Sequence, residues 1–250
     1  DSSHGSIIVV DEPELSIPPS AQKKVMEALM YYSKDRQIVI STHSPYFVNW
    51  PSIINGGKLC RVVKIDDGCK IFQLDNKNVA ENNCLISRRN PHTSGIESKE
   101  VFFLNDKIIL VEGQEDIICF EEIITAIGRE FKYYNFYGWG VSGSGNMRFI
   151  AKILENLGYK KVVMILDGDD DAIVIKNSLE EEFPNYQTYN LPVDDIRDKE
   201  KFKRIGDGIY EKKDISGLCD KDYRLKDNFD RDFRDVISEM FSKIDKYFEK

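Results

Sequence analysis

The chain of 250 residues is long enough for one large domain or two small ones. Its composition, 41% hydrophobic and 31% charged, is ordinary for a globular protein, and no apolar run approaches the ~20 residues of a membrane helix. The five cysteines form no CxxC pair, which argues against a disulfide framework or zinc cluster and favours a reducing cytoplasm.

The formal net charge of −8 alone disfavours a nucleic-acid partner. Basic clusters interrupt the acidic sequence, and such clusters are usually solvated faces; they are Lys23-Lys24, Arg88-Arg89, Lys160-Lys161 and residues 199–204. A protein that grips phosphate through bound metal can be acidic, so the charge leaves the partner open. The first residue is Asp1 rather than methionine, so we expect a fragment or a processed chain.

The first 75 residues predict a β-α-β unit followed by a hairpin. A strand over 6–10 ends in Asp11-Glu12-Pro13-Glu14, and a helix starting at Pro18 has apolar residues at helical spacing. A second strand over 37–42 leads to His43-Ser44-Pro45, which predicts two adjacent, buried, parallel strands. The helix stripe is Ala21, Val25, Ala28, Leu29 and Tyr32, and the hairpin strands are 61–65 and 70–74.

The strand ending in Asp11-Glu12-Pro13 resembles the Walker B segment of an ABC-type ATPase, and His43 resembles the switch histidine of that family. The resemblance implies that Asp11 helps to hold magnesium, that Glu12 polarises water and that His43 senses the γ-phosphate of ATP. A phosphate loop of the form GxxxxGK[ST] is absent from this sequence. ATP hydrolysis is therefore not expected of this chain alone, which resembles the final third of such a domain. An unrelated β-α-β unit with an acidic strand end is the alternative.

Residues 76–105 are polar and predict a connector, and residues 106–250 predict a second α/β domain. Its strands are expected at 107–111, 131–137, 162–166 and 187–191, with helices between them. A final apolar stripe over 227–250 predicts a helix that packs on the core rather than on a partner.

Acidic residues follow two of these strands. Glu112 ends the first and Asp167 the third, so both are expected at one rim of a parallel sheet, where ligands collect. Asp167 and Asp169 are two residues apart and can face one side. The cluster predicts a site for Mg²⁺ or Mn²⁺. The alternative is an acidic turn in which Asp170 or Asp171 caps the next helix.

The glycines of the turn at 138–145 match a dinucleotide fingerprint through Gly138, Gly140 and Gly143. In a dinucleotide-binding domain the glycine-rich turn follows the first strand, but here it follows the second predicted strand of residues 106–250. A ribose needs one carboxylate, whereas the segment 167–171 has four. The acidic cluster therefore favours a metal site over a nucleotide cofactor, and an oxidoreductase is the weakest alternative.

The order strand-Glu-Gly, helix, strand-Gly, helix, strand-Asp-x-Asp resembles the Toprim domain over about 106–192. An ABC-type ATPase followed by Toprim resembles the OLD (overcoming lysogenization defect) nucleases, including the Gabija-type nuclease subunit. The resemblance implies two-metal phosphodiester hydrolysis. It implies metal ligands at Glu112, Asp116, Asp167 and Asp169, with support from Asp171, and it makes Asp195 and Asp198 candidates for a further acidic pair. Lys212 or Lys213 is the candidate lysine, and Gly113, Gly143 and Gly145 are expected in backbone turns.

The expected protein is a cytoplasmic Mg- or Mn-dependent endodeoxyribonuclease that acts on double-stranded DNA in antiphage defence. The family implies ATP as its regulator, self-association through both regions, no membrane partner and room for a helicase-like partner protein. The main alternative is a Toprim module that binds nucleic acid or a partner without cutting. Another is an ATP-dependent structural or loading protein.

Overall fold

The computed structural model describes residues 5–75, 106–138, 143–206 and 209–250. The chain divides into two compact units, Asp1–Phe103 and Leu104–Lys250. The predicted connector at 76–105 lies outside the described residues. The boundaries 1–75, 76–105 and 106–250 stay predictions.

The first unit contains the predicted β-α-β segment. Strand β1 (Ile7–Asp11) pairs in parallel with β2 (Gln37–Ser41), with Asp11 opposite Ser41, and helix α1 (Pro19–Tyr32) connects them. The prediction of strands buried on both faces is wrong, because Ile7 is 61% and Val9 72% exposed. In the described part of this unit the sheet has only these two strands, and alternate residues of each remain exposed.

Helix α1 begins with proline in its first turn as predicted. Of its predicted apolar stripe, Ala21, Val25 and Leu29 are half-buried, whereas Ala28 and Tyr32 are exposed. The buried side chains are Gln22 and Met26, whereas Tyr32 at the end of the predicted stripe is 45% exposed. Gln22 is buried because its amide has polar partners, so hydrophobicity alone did not mark this position. A 3₁₀ turn (Pro45–Phe47), helix α2 (Trp50–Ile54) and the predicted hairpin of β3 (Cys60–Ile65) and β4 (Gly68–Gln73) follow.

The second unit is built on a four-stranded parallel sheet of order β6-β5-β7-β8. The predicted α/β class with a parallel sheet flanked by helices is confirmed. The strands are β5 (Ile108–Leu110), β6 (Asn135–Tyr137), β7 (Val162–Leu166) and β8 (Gln187–Asn190). The helices between them are α3 (Asp116–Ala126), α4 (Ser144–Asn156) and α5 (Asp170–Glu182). The strand predicted at 131–137 is shorter, because Phe131–Tyr133 forms a 3₁₀ turn.

The central strands of this sheet are covered on both faces. All residues of β5 and β7 are at most 2% exposed, as their continuous apolar runs predicted. The final apolar stripe packs on this core through Ile237, Phe241 and Ile244. It is divided into α6 (Phe229–Asp232) and α7 (Arg234–Glu249), because the backbone at Phe233 leaves the helical conformation (φ −129°, ψ −20°).

A hairpin that the sequence analysis did not predict follows the sheet. It consists of β9 (Lys199–Gly206) paired antiparallel with β10 (Ile209–Ile215). Charged residues occupy both sets of alternate positions, so no hydrophobic alternation marks the strands. Within the described ranges, no helix is both long and apolar enough to cross a membrane.

Candidate active site

Glu112, Asp116, Asp167 and Asp169 form what we call the acidic rim of the second unit, and Glu112 lies two residues after the end of β5. Its Oε1 accepts a hydrogen bond from the backbone N–H of Asp167 (2.9 Å), and its Oε2 accepts one from the N–H of Ser144 (3.0 Å). The side chain therefore joins the end of β7 to the start of α4. Burial raises the pKa of Glu112 and the charge of Asp169 adds to this, whereas the two N–H donors and the charge of Lys199 act in the opposite direction.

Asp116 is the first residue of α3, one turn from Glu112, as predicted. Its Oδ2 accepts a hydrogen bond from the N–H of Gly113 (2.8 Å). Burial and then the charge of Glu112 raise the pKa of Asp116 to about 6, against the opposing charges of Lys199 and Arg197. The two carboxylates therefore form one electrostatic unit in which each disfavours the ionisation of the other.

The aspartate that caps α5 is not one of the two candidates named from the sequence. Asp169, rather than Asp170, is the N-cap of α5, because its Oδ1 accepts a hydrogen bond from the N–H of Ala172 (2.9 Å). Asp170 and Asp171 are exposed in the first turn of that helix. The backbone carbonyl of Asp167 accepts a hydrogen bond from Asn190 Nδ2 (2.7 Å), which ties the end of β7 to that of β8. Asp169 is thus a cap whose charge also acts on Glu112.

At two glycines beside the acidic rim, another backbone segment packs so closely that a side chain would not fit. A Cβ on Gly138 would lie 2.4 Å from the carbonyl oxygen of Gly113, so the first glycine of the apparent dinucleotide fingerprint makes room for the Glu112-Gly113 turn. A Cβ on Gly168 would lie 2.3 Å from the carbonyl oxygen of Leu191. The fingerprint thus has a packing explanation at Gly138, while Gly140 lies outside the described residues.

The three predicted turn glycines differ in conformation. Gly143 has φ 102° and donates its N–H to the carbonyl of Glu112 (3.0 Å), as a turn glycine would. Gly113 precedes α3, and Asp116 contacts its N–H. Gly145 was wrongly placed in the turn, because it lies within the first turn of α4. Helix α4 starts at Ser144, inside the predicted turn at 138–145, because Gly143 already ends that turn.

The predicted downstream residues have partners of their own. Asp195 is 2% exposed and pairs with Lys199, while Asp198 Oδ1 accepts hydrogen bonds from Gly217 N (2.8 Å) and Lys226 Nζ (2.9 Å). Lys212 Nζ lies 3.0 Å from Glu200 Oε1, and Lys213 Nζ lies 3.2 Å from Asp194 Oδ2. Both lysines are exposed on β10. Their predicted catalytic role stays a prediction.

Two basic residues of the rim were missed. Lys199, held by Asp195, has a charge that partly opposes the rise in the pKa values of Glu112 and Asp116. Arg197 pairs with Glu115, and its guanidinium lies over the ring of Tyr223 (4.9 Å to the centroid). The sequence signal for Lys199 was its spacing of four residues from Asp195, shortly after β8. Its place in the basic cluster at 199–204 favours a solvated face instead.

The donor set of this rim suits a hard divalent cation. Its carboxylates offer only oxygen ligands, and each oxygen of Glu112 that accepts one N–H keeps a second lone pair. The repulsion of Glu112 by Asp116 and Asp169 is of the kind that a cation would relieve. Among the described residues, no group of three or more His, Cys, Asp or Glu side chains is drawn together tightly enough to hold a metal ion. The oxygen donors and the charge of these residues suit a hard divalent cation, although the described side chains do not form a closed coordination shell.

The predicted nucleotide motif of the first unit is also assembled at strand ends. Asp11 ends β1, and Glu12 follows in the left-handed region (φ 44°), with its N–H donated to the carbonyl of Ser41 (2.8 Å). His43 Nε2 lies 4.0 Å from Glu12 Oε1. The two motifs that were predicted to belong together therefore meet in space.

Glu14 was not singled out in the sequence, yet it holds the histidine loop. Its Oε2 accepts a hydrogen bond from the hydroxyl of Thr42 (2.7 Å), and its Oε1 accepts one from the N–H of His43 (2.6 Å). Burial opposes ionisation of Glu14, but these hydrogen bonds outweigh it and lower its pKa. A buried hydrogen bond from the Ser44 hydroxyl to Gln22 Oε1 (2.6 Å) ties the same loop to α1.

Comparisons with known proteins agree with both halves. Residues 1–49 match the family model of an AAA domain, described under AbiEii toxins of type IV toxin–antitoxin systems. Residues 103–169 match the model described as overcoming lysogenization defect protein-like, TOPRIM domain. This second match contains Glu112, Asp116, Asp167 and Asp169.

The chain is also similar to the Old nuclease of Escherichia phage P2, at 26% identity over 164 residues. The aligned part is 64% of this chain and 27% of the phage protein, so the chain spans about a quarter of that relative. The chain thus combines an AAA ATPase-like region at its N-terminal end with an OLD-like TOPRIM domain.

Proposed function

We propose that the second unit is the catalytic part of a divalent-metal-dependent endonuclease that cleaves phosphodiester bonds of double-stranded DNA. One observation carries this proposal: Glu112 joins two strand ends and the start of α4 through two backbone hydrogen bonds and interacts electrostatically with Asp116 and Asp169. Such crowding of carboxylates is typical of sites that bind cations. The match to the OLD-like TOPRIM family and the similarity to a nuclease support the same conclusion.

The residues have separable roles in this proposal. Glu112, Asp116, Asp167 and Asp169 would hold Mg²⁺ or Mn²⁺, which when bound supplies positive charge to the scissile phosphate and activates water. Asp116, whose pKa is raised to about 6, is suited to hold or release a proton near neutral pH. Lys199 adds a positive charge beside these carboxylates. Asp171 is exposed and would assist from the helix start.

The first unit would regulate cleavage through ATP in the complete protein. Asp11, Glu12 and His43 are the residues of this chain that would sense nucleotide, and Glu14 fixes the backbone of the histidine loop. Self-association, a helicase-like partner protein and a role in antiphage defence follow from the family resemblance and belong to the same proposal. Cleavage that does not vary between nucleotide-free, ATP and ADP states would remove the regulatory part.

The test is plasmid cleavage by the complete protein with Mg²⁺ or Mn²⁺. We expect wild-type protein to convert supercoiled plasmid, and Glu112→Gln and Asp169→Asn to reduce the rate by about 10- to 100-fold, as loss of support for a metal site does. Asn caps helices about as well as Asp, so Asp169→Asn removes the charge while α5 keeps its cap.

The matched control is Asp170→Asn, which removes the same charge from the next, exposed residue of α5. We expect cleavage by this variant to stay near the wild-type rate. Wild-type rates for Glu112→Gln and Asp169→Asn would contradict the proposal. DNA binding without cleavage by any version would favour the non-cleaving Toprim module.

A further inference from the structure

The side chain of Arg197 reaches from the segment after β8 to the start of α3. Its guanidinium pairs with the carboxylate of Glu115, the residue directly before Asp116 in the chain. Glu115 is the N-cap residue of α3, and in the described structure its carboxylate pairs with Arg197 instead of capping the helix. Arg197 therefore contacts the turn from which Asp116 projects.

Arg197 is itself held at its backbone and at its guanidinium. Its N–H donates a hydrogen bond to Asp195 Oδ1 (3.3 Å), and a Cβ on Gly217 would lie 2.4 Å from its carbonyl carbon, so another segment packs directly on this backbone. Its Nη1 donates a hydrogen bond to the hydroxyl of Tyr223, and the guanidinium lies 4.9 Å from the centroid of that ring. Because the guanidinium is already fixed, it loses little further freedom when it pairs with Glu115.

Tyr223 reaches Arg197 from a strained turn. Its φ of 64° lies in the left-handed region, which bulky side chains rarely adopt. The turn is closed by Asp220, whose Oδ1 accepts hydrogen bonds from the N–H groups of Asp222 and Arg224 (2.9 Å each). Strained residues of this kind are concentrated at functional sites. The contact that this turn fixes is the one between Tyr223 and Arg197.

One face of α3 lies on a β-bridge of the segments that follow the sheet. Glu115 and Cys119 are four residues apart in helical backbone, so their side chains share that face. Glu115 pairs with Arg197, and the thiol of Cys119 contacts that of Cys219. A parallel β-bridge pairs Arg197 with Cys219. Both cysteines are 0% exposed, whereas the side chain of Glu115 is 47% exposed. The buried contact keeps the helix in place, so the ion pair acts on its first turn.

Asp116 is the residue that this first turn presents to the acidic rim. Its Oδ2 accepts the hydrogen bond from the N–H of Gly113 (2.8 Å), which fixes the carboxylate only if the turn itself is fixed. Burial raises the pKa of Asp116, and the charge of Arg197 is one of the influences that oppose the rise. Arg197 is thus close to Asp116 as well as to its neighbour Glu115.

We propose that Arg197 is a positioning residue that fixes the carboxylate of Asp116 for a divalent cation, by holding the first turn of α3 through Glu115. The cation rests on the proposed function, whereas the positioning of Asp116 rests on the contacts of Arg197 themselves. Arg197 acts on the acidic rim through another side chain and is not itself a ligand.

Arg197→Gln gives positioning and charge opposite signs in one measurement. Removal of a positive charge beside a cation site strengthens cation binding by electrostatics alone. Loss of positioning weakens it, because groups that orient metal ligands are worth about 10- to 100-fold in affinity. We expect Arg197→Gln to bind Mn²⁺ about tenfold more weakly than wild type. The complete protein is titrated with Mn²⁺ without DNA or nucleotide, and the electron paramagnetic resonance signal of free Mn²⁺ gives the affinity.

Variants of the ion pair show whether Arg197 acts through Glu115. In Arg197→Gln/Glu115→Gln the positioning is lost once and the two removed charges cancel, so its Mn²⁺ affinity should lie between those of the single variants. Weaker binding by the double variant than by either single variant would overturn the route through Glu115. Arg197→Lys keeps the charge without the planar contact to Tyr223, and its affinity should lie between those of wild type and Arg197→Gln.

The matched control is Arg129→Gln, beyond the other end of α3. Arg129 pairs with Asp245, and its side chain is 23% exposed, against 27% for Arg197. We expect this variant to keep the Mn²⁺ affinity of wild type. An equal fall in affinity for Arg129→Gln would overturn the proposal, because any lost ion pair of the unit would then have the same effect.

Amide hydrogen exchange of the metal-free protein separates the positioning from the proposed function. Because the N–H of Gly113 donates to Asp116, we expect it to exchange faster in Arg197→Gln, with the last turn of α3 unchanged. Unchanged exchange at Gly113, or faster exchange along the whole helix, would overturn the proposal. Faster exchange at Gly113 without Mn²⁺ binding by wild type would keep the positioning and remove the metal site. Mn²⁺ binding that is as tight or tighter in Arg197→Gln would do the reverse.

Discussion

The two units start from the same sequence pattern, an apolar run that ends in an acid, and they complete it differently. In the second unit β7 is at most 2% exposed along its whole length, whereas in the first Val9 is 72% and Val39 45% exposed. In the described residues the second unit has a four-stranded sheet and the first pairs only β1 with β2 in parallel. An apolar run therefore predicts a strand and the position of its acid, but burial depends on the elements that cover it.

The acids at the strand ends also differ in how they are held. In the second unit the carboxylate of Glu112 is fixed by two backbone N–H groups, and it lies among other acids whose charges oppose its own. In the first unit the fixed carboxylate is Glu14, which itself holds the loop of His43. One rim concentrates negative charge for a ligand to neutralise, whereas the other uses a carboxylate to hold a backbone loop.

The largest expected effect tests the difference in burial. Ile109→Ala in β5 removes a side chain that is 0% exposed, and we expect it to lower the free energy of unfolding by about 2–5 kcal/mol. Ile7→Ala in β1 makes the same change at a side chain that is 61% exposed, and we expect at most about 0.5 kcal/mol. Chemical denaturation of each variant measures both. Equal losses would mean that Ile7 is covered in the protein as it exists.

The second prediction concerns the uncompensated charge at the acidic rim. The pKa of Asp116 rises from 3.8 to about 6, a shift of about 2 units, so ionisation disfavours the folded state by about 3 kcal/mol at pH 7.5 without metal. Asp116→Asn removes that charge, and we expect it to stabilise the metal-free protein by about this amount at pH 7.5. The gain should shrink as the pH falls through 6 and vanish only well below 3.8, where the carboxyl is protonated in both states.

Thermal unfolding over a pH series measures this gain. Asp170→Asn is the control, because the same charge is lost at an exposed position where the N-terminal end of α5 favours an acid. That variant should be slightly less stable than wild type. Destabilisation by Asp116→Asn at pH 7.5 would mean that the hydrogen bond from Gly113 outweighs the charge.

Sequence reasoning predicted what depends on local pattern and strand order. Glu112 and Asp167 could be placed at one rim because parallel strands end at the same edge, whereas Asp116 was predicted only through the resemblance to the OLD nucleases. The N-cap at Asp169 could not be separated from one at Asp170, because adjacent aspartates cap equally well in sequence. The β9–β10 hairpin could not be predicted, because its strands have no hydrophobic alternation. The position of Lys199 could not be predicted either, because it depends on the buried Asp195, which no periodicity marks.

The smallest effect is expected at Glu14. Glu14→Ala removes the acceptor for Thr42 and for the N–H of His43, and we expect a loss of about 1–2 kcal/mol in the stability of the first unit. Because hydrogen bonding lowers the pKa of Glu14, this contribution is present above the ordinary pKa of a glutamate and disappears as the pH falls through the lowered value.

Amide hydrogen exchange locates the effect of Glu14. We expect faster exchange at His43 in Glu14→Ala, while the N–H of Glu12 keeps its rate because it donates to the carbonyl of Ser41 instead. Glu14→Gln retains one acceptor oxygen, so its exchange rate at His43 should lie between those of wild type and Glu14→Ala. Unchanged exchange at His43 would show that β1 and β2 alone fix the loop. In that case a carboxylate would hold the backbone at Glu112 in the second unit but not at Glu14 in the first.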